Sequence, residues 1–465
     1  MVKDRAFYKT IFLIAVPAAF QSLISFLVVV VDNIMISSIA NGVFAQAAVA
    51  QVNSITMFYT ATITGLVSGS SVLISQYWGK KDMDRIKGIF SMMLKICLCV
   101  AGLFLLAAAL FPSHIVGFVI NREETLVTEY ALTYFRIASI AWIPFAISCS
   151  LVVMLRSIEI VRITLIITII ALFTNIGLNY LLIFGNLGFP ALGVAGAAIA
   201  TLITRILEAI VVLIFAFKIQ KNLPLRPRDM LRSEGWLYKD YALFGLPVGL
   251  TDMQWALIGT LKAVIIGRLG VSFMAASSIV NSIAGLGMLF TFALAGGACI
   301  VVGKAVGEGD YVKVREYSKT IQIMFVLIGI VTAWIVYMLR GPFVSLYGSS
   351  ADPNVYALSM EMITILAITM IGTSYHASCF VGINRGAGDS QFVAVVDMIC
   401  GWLVVLPVTL LAAFVWNLPL PLVFLATRID QCFKWIIAFF RLRGDKWIKN
   451  ITRSQDSAEA KSAAE

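Results

Sequence analysis

Long apolar runs separated by short polar or Gly/Pro breaks fill most of the chain. They fall at residues 11–37, 46–77, 89–111, 127–152, 161–184 and 190–217, and again at 241–267, 277–303, 320–341, 357–381, 392–415 and 419–440. A helix needs about 20 such residues to cross the hydrocarbon core of a bilayer, so the pattern predicts twelve transmembrane helices. Six lie on each side of the longest polar stretch between runs, Lys218–Asp240 (KIQKNLPLRPRDMLRSEGWLYKD). The first run is too long for a signal-peptide core and lacks a small-residue cleavage site, which predicts an uncleaved first span. The expected architecture is an all-α polytopic membrane protein. It comprises an N-terminal six-helix lobe over 1–217, a cytoplasmic linker over 218–240, a C-terminal six-helix lobe over 241–447 and a disordered cytoplasmic tail over 448–465.

The two sets of six resemble each other. Pro17 in Ala-Val-Pro-Ala matches Pro247 in Gly-Leu-Pro-Val, Gly79-Lys-Lys-Asp82 matches Gly307-Glu-Gly-Asp310, and Arg156 matches Arg385. Each pair is separated by about 230 positions, and three landmarks at one offset predict a duplicated six-helix unit. An even number of spans per unit gives both copies the same orientation, so the lobes are parallel repeats about an axis along the membrane normal, the plan of an alternating-access transporter.

Composition and charge agree with this. Of 465 residues, 60% are apolar and only 13% charged, against about 25% charged in a soluble domain, and the mean hydropathy is +0.93. That excludes intrinsic disorder and a soluble enzyme. The net charge of +10 is explained by loop topology rather than by nucleic acid. With a cytoplasmic N-terminus, the inside segments hold 26 Lys and Arg and the outside loops three, Arg122, Arg268 and Arg340, which predicts both termini in the cytoplasm of a cell-membrane protein. Seven cysteines scattered through apolar runs read as packed thiols. Neither they nor His114 and His376 cluster at metal-ligand spacing, so no metal site is expected. No Gly-Lys-Ser/Thr phosphate loop occurs, so the energy source is an ion gradient or a separate subunit. No nucleophile–base arrangement is visible, and the expectation is a transporter, not an enzyme.

The sharpest chemical feature is Asp32, which follows Leu27-Val-Val-Val-Val31 deep in the first span. A carboxylate there costs about 2.5–3.5 kcal/mol to insert, so it should face the protein interior or a cavity. Desolvation favours its neutral form and suits a proton carrier, whereas a nearby cation would keep it ionised; a structural hydrogen-bond acceptor is the plainer alternative. Asn175 and Asn179, at i and i+4 in span five, share one helix face, and Thr201 lies in the small-residue run Gly193-Val-Ala-Gly-Ala-Ala-Ile-Ala-Thr201 of span six. One carboxylate, two amide carbonyls and a hydroxyl are hard oxygen ligands that suit a weakly held monovalent ion such as Na⁺, with too little charge for a strong Ca²⁺ site. From spacing alone, packing polar residues are an equal alternative. The second half does not repeat the set, because Val404 and Val408 stand where Asn175 and Asn179 do. It has its own charges instead. Arg205–Glu208 in the first half and Asp430–Lys434 in the second are spaced to pair. Asp252 and Glu361 have no partner close in sequence, which makes those two acids candidates to contact a cationic substrate. Trp142, Trp255 and Trp402 are candidates to line an adaptable cavity.

These residues, in this order, resemble the multidrug and toxic compound extrusion (MATE) family over about residues 8–447. The resemblance rests on Pro17 with Asp32-Asn-Ile-Met, on Ser75-Gln-Tyr-Trp-Gly79, and on Asn175-Ile-Gly-Leu-Asn179-Tyr with the Gly193–Thr201 run. It continues in Asn384-Arg-Gly-Ala-Gly-Asp389, Trp402 and Pro407. It implies export of amphipathic, often cationic, organic compounds in exchange for Na⁺ or H⁺. The expected partners are those small organic substrates and membrane lipids, with no nucleic acid, no cofactor and a monomeric chain. It further implies a cation site at Asp32, Asn175, Asn179 and Thr201, a hinge in span one at Pro17, and substrate or gating roles for Asp252 and Asp389. Some relatives carry an aspartate at the second amide, so Asn179 leaves this site one charge short. The alternative within the same superfamily is a lipid-linked glycan flippase. It would need a ring of cations for a pyrophosphate, for which Arg136, Arg205, Lys262 and Arg428 are few and partly balanced by acids. A major-facilitator carrier also has six plus six spans, but Gly79-Lys-Lys-Asp-Met-Asp-Arg-Ile-Lys does not fit its loop signature.

Overall fold

The computed structural model describes residues 2, 4–39, 41–119, 125–232, 234–346 and 353–453. The described residues contain helices and no β-strand. In chain order the first are α1 (Arg5–Ser37), α2 (Gly42–Gly79), α3 (Met83–Leu110), α4 (Pro112–Val119), α5 (Thr125–Ala138), α6 (Trp142–Ser157), α7 (Arg162–Phe184) and α8 (Val194–Ile214). After a short α9 (Gly235–Asp240) come α10 (Leu246–Gly267), α11 (Val271–Glu308), α12 (Tyr311–Met338), α13 (Arg340–Leu346) and α14 (Pro353–Ala377). The chain closes with α15 (Ser390–Met398), α16 (Leu406–Leu410), α17 (Leu420–Ala426) and α18 (Asp430–Arg443). Among the described residues, ten helical stretches are long and apolar enough to cross a membrane. The other two predicted spans differ for a chemical reason. Span seven is α10 preceded by a π-helical turn, Tyr241–Gly245, and carries Asp252, Gln254 and Lys262; span twelve is broken into α17 and α18 around Arg428 and carries Asp430 and Lys434. Arg122, counted above among the outside charges, lies outside the described residues.

The chain forms two compact units. One comprises Phe20–Ile74 and Met83–Asp240; the other comprises Met1–Ala19, Ser75–Asp82 and Tyr241–Glu465. The first nineteen residues and the end of α2 thus group with the second half of the chain, not with the N-terminal lobe of the sequence division. Helices α1 and α2 each run from one unit into the other, and in α1 the boundary falls just after Pro17. Proline has no N–H to give the carbonyl of Leu13, so the helix is weakest where membership changes.

In the unit that holds the second half, the repeat is visible in backbone detail. A Cβ built on Gly79 would fall on the carbonyl of Lys304, and one built on Gly307 would fall on the carbonyl of Gln76. The two contacts are related by the repeat offset, so α2 and α11 cross at matching glycines about a local two-fold. Close approach here requires glycine. Gly309 closes α11 at φ 78°, and its counterpart in the first repeat, Lys81, takes φ 60° in the same turn. Asp310 then caps α12 by accepting from the Lys313 N–H at 3.0 Å.

Two polar segments pack against the helices, and the second was predicted to be disordered. In the linker, Leu223, Leu225 and Leu237 are buried, and the Ser91 hydroxyl on α3 donates to the carbonyls of Met230 (2.7 Å) and Arg232 (2.6 Å). In the tail, residues 448–453 are not disordered. The Gln76 amide donates to the carbonyls of Gly386 (3.0 Å) and Lys449 (3.2 Å) and accepts from the Ile451 N–H (3.0 Å), while Trp447 and Ile451 are buried. Apolar anchors spaced among charges, too sparse to register as a run, explain both. Residues 454–465, the remainder of the predicted tail, lie outside the described residues.

Candidate functional site

The unit built from Phe20–Ile74 and Met83–Asp240 encloses a cavity of about 740 Å³. Its wall includes Asp32 from α1, Asn175 from α7 and Thr201 from α8. The predicted acid–amide set therefore comes together. The Asn179 Nδ2 donates to Asp32 Oδ1 at 2.5 Å and to Asn175 Oδ1 at 3.2 Å. The i,i+4 spacing on α7 aims both amides at one point, and both are fully buried. Asp32 is half-buried, with one face on the cavity. Asn179 gives its amide hydrogens to two acceptors, and its own Oδ1 is buried without a partner among the described residues. A buried carbonyl oxygen without a donor is unfavourable unless a cation, water or proton donor reaches it. The cluster thus offers one carboxylate and one free carbonyl oxygen within a few ångströms.

Other residues complete the wall. Tyr134 is buried beside Thr201, within electrostatic reach of Asp32 and Arg205. Trp142 lines the cavity as predicted, stacked on the buried Tyr59 with ring centroids 4.9 Å apart. Arg205 and Glu208 pair at 2.8 Å, as their spacing predicted, and the Arg205 guanidinium also covers the Phe145 ring at 5.3 Å. Arg156 lines the cavity and its only hydrogen-bond partner among the described residues is Gln21. Tyr134 and Gln21 were not legible in the sequence, since a single tyrosine and a single glutamine within a span carry no spacing signal. Arg156 served as a repeat landmark and as one of the inside charges beyond the 127–152 run, whereas the structure places it in the last turn of α6, on the cavity.

In the other unit the predicted acids are differently placed. Asp252 is not an unpaired carboxylate: Arg385, remote in sequence, holds it at 2.9 Å. Glu361 is exposed on α14 rather than buried. Asp389 is completely buried and bound by two cations, Arg441 at 2.8 and 3.1 Å and Lys449 at 2.6 Å. It joins the α14–α15 junction to the end of the chain and has no face left for a ligand. Lys434 pairs with Asp430 at 3.3 Å as predicted, and also with Asp397 at 2.6 Å, with its ammonium 4.4 Å from the Trp255 ring centroid. Among the described residues no group of three or more His, Cys, Asp or Glu side chains could hold a metal ion.

A duplicated, all-helical polytopic chain with a cavity inside one unit that exposes a few polar and charged groups on a mainly apolar wall defines the class: a multi-pass membrane protein of transporter architecture. The MatE family model matches residues 17–181 and again residues 247–411, and this chain belongs to that family. The second match begins at the offset of the internal repeat, so each copy of the repeat is matched by itself. Among its relatives is a protein of Listeria monocytogenes named "Probable multidrug resistance protein NorM", 28% identical over 86% of this chain and 87% of its own length. Another of the same name from Halalkalibacterium halodurans is 26% identical over 76% of each chain. The fold is similar to that of a MATE crystal structure in the bent conformation, with a TM-score of 0.84 at 18% identity over 99% of this chain and 97% of the other. It is equally similar, at a TM-score of 0.84 and 17% identity over 96% and 97%, to a MOP-superfamily transporter from Pyrococcus furiosus described as having a reversed-polarity binding pocket.

Proposed function

We propose that this protein is a secondary antiporter of the cell membrane that exports amphipathic organic compounds in exchange for Na⁺ or H⁺. The observation that carries the reading is the Asp32–Asn179–Asn175 cluster on the wall of a 740 Å³ cavity. The names of the relatives, multidrug resistance proteins, support the same class of cargo.

In this reading Asp32 is the exchange group. When ionised it accepts the Asn179 amide hydrogen, and its charge faces the cavity. Na⁺ or a proton arriving from outside neutralises it. Na⁺ would take oxygens from Asp32, from Asn175, and from Asn179 after a turn of its amide; a proton would sit on the carboxylate and donate to the free Asn179 oxygen. Either event replaces the Asn179 N–H to Asp32 hydrogen bond by a contact of different geometry and lets α1 repack. Pro17 gives that helix a point to bend. Cargo and ion favour opposite conformations, which is the requirement for exchange. The strong excess of Lys and Arg in alternate loops supports both termini in the cytoplasm.

The test is efflux of a fluorescent organic compound from liposomes containing purified protein, with Na⁺ and pH gradients imposed separately. Wild type is expected to work under one gradient, naming the ion, and Asp32→Asn to fall to the protein-free rate. Undiminished, gradient-driven efflux by Asp32→Asn would remove Asp32 from the mechanism.

A further inference from the structure

The two repeats make one contact twice, with different chemistry. In one unit the Arg385 NH2 group meets Asp252 Oδ1 at 2.9 Å. In the other the Arg156 NH2 group meets Gln21 Oε1 at 3.0 Å. Arg156 and Arg385 are counterparts in the repeat, and Gln21 and Asp252 stand at nearly the same offset from each other, so an acid in one copy stands where a neutral amide stands in the other. The charge of Arg385 is compensated and that of Arg156 is not. Among the described residues no carboxylate pairs with Arg156, and its Nε–H is buried without an acceptor.

The other charges on the cavity wall do not supply the missing anion. Arg205 and Glu208 satisfy each other at 2.8 Å. Asp32 is eleven residues beyond Gln21 on the same helix, about 16 Å along its axis at ~1.5 Å per residue. At that separation the Coulomb attraction is about a quarter of its value at 4 Å. A part-buried guanidinium on a cavity wall without an acid is unfavourable on its own and becomes favourable when an anion arrives. Its planar fork of donors suits a carboxylate, sulfonate or phosphate.

We infer that Arg156 is an anion subsite of this cavity, and that the exported compounds include amphiphiles carrying an acidic group, which Arg156 holds while their apolar body lies along Val153, Leu172 and Phe145. The inference rests on the antiporter reading of the same cavity. It adds that cationic charge is not the feature by which this cavity selects cargo.

The free acid of a rhodamine dye and its methyl ester are suitable probes, because they differ only in the anion. Binding of each to purified protein would be followed by fluorescence anisotropy for wild type, Gln21→Glu, Arg156→Gln and Arg156→Lys. Gln21→Glu installs the acid of the other repeat beside Arg156 without shortening any side chain. Wild type is expected to prefer the acid over the ester. Gln21→Glu and Arg156→Gln are expected to weaken acid binding about tenfold or more and leave the ester unchanged, while Arg156→Lys restores part of the preference. An acid-to-ester ratio that is the same in wild type and in Gln21→Glu would overturn the subsite. Binding and Asp32-dependent efflux of the ester alone would do so as well, while leaving the antiporter reading standing. Binding of neither dye would count against both. A thermal unfolding curve for each variant separates a lost subsite from a lost fold, since misfolding would weaken both dyes together.

Discussion

Replacing Asn179 by Asp tests the ion site more sharply than removing Asp32, because it is expected to strengthen a function rather than abolish one. The side chains have the same shape, but the Asn179 Nδ2 that now donates to Asp32 Oδ1 at 2.5 Å and to Asn175 Oδ1 at 3.2 Å becomes a second acceptor. Two carboxylates then face each other across the cluster. At about 4 Å and an effective dielectric of about 20, a unit charge interacts with its neighbour by about 4 kcal/mol. A monovalent cation placed between them gains an attraction of that order from the new charge. Desolvating the added carboxylate offsets part of it. The expected net gain in Na⁺ affinity is about ten- to a hundredfold, or about 1.4–2.8 kcal/mol. Calorimetric titration of purified protein with NaCl at constant ionic strength, compared with KCl, reads this directly. A proton neutralises the same carboxylates, so Na⁺ affinity should fall as pH falls, and more steeply in the variant, which has two carboxylates to protonate. Unchanged Na⁺ affinity and pH dependence in Asn179→Asp would refute the assignment of Asp32 and Asn179 to a shared cation site.

Two further predictions concern the other unit. Gly307→Ala places a Cβ on the Gln76 carbonyl and should lower stability by about 1–3 kcal/mol; Gly296→Ala, on the same helix with nothing within 4 Å of its Cβ, should be neutral or slightly stabilising, and thermal unfolding in detergent compares the two. Lys434→Met leaves Asp397 and Asp430 buried without their shared cation, and should destabilise by about 3–5 kcal/mol, read in the same unfolding assay.

Much of the fold was legible because a membrane reduces the problem to run length. Backbone groups in lipid must be satisfied within a helix, so an apolar run of about 20 or more residues has one solution. The same reasoning fails where function intrudes. Spans seven and twelve carry the charges Asp252, Lys262, Asp430 and Lys434, and these are the two spans whose helices fall short of the length and apolarity of a regular span. The site was half legible. Asp32 announced itself by its cost in lipid, and Asn175 and Asn179 by helical spacing. Asp252 read as a free acid because its partner, Arg385, is 133 residues away, and no periodicity reports a contact at that range. Asp389 read as a gating residue near a helix end; nothing local indicates that Arg441 and Lys449 fold back onto it.

By itself the sequence determined the helical class, the duplication and the identity of the carboxylate in span one. These follow from properties local along the chain: apolar length, a repeated offset, and the cost of one charge in hydrocarbon. Only the tertiary structure decided which charges are neutralised and which remain available. Neutralisation depends on atoms a few ångströms apart whatever their separation in sequence. So Asp252, Asp389 and Lys434 are compensated, while Asp32 has an amide and Arg156 a glutamine for company.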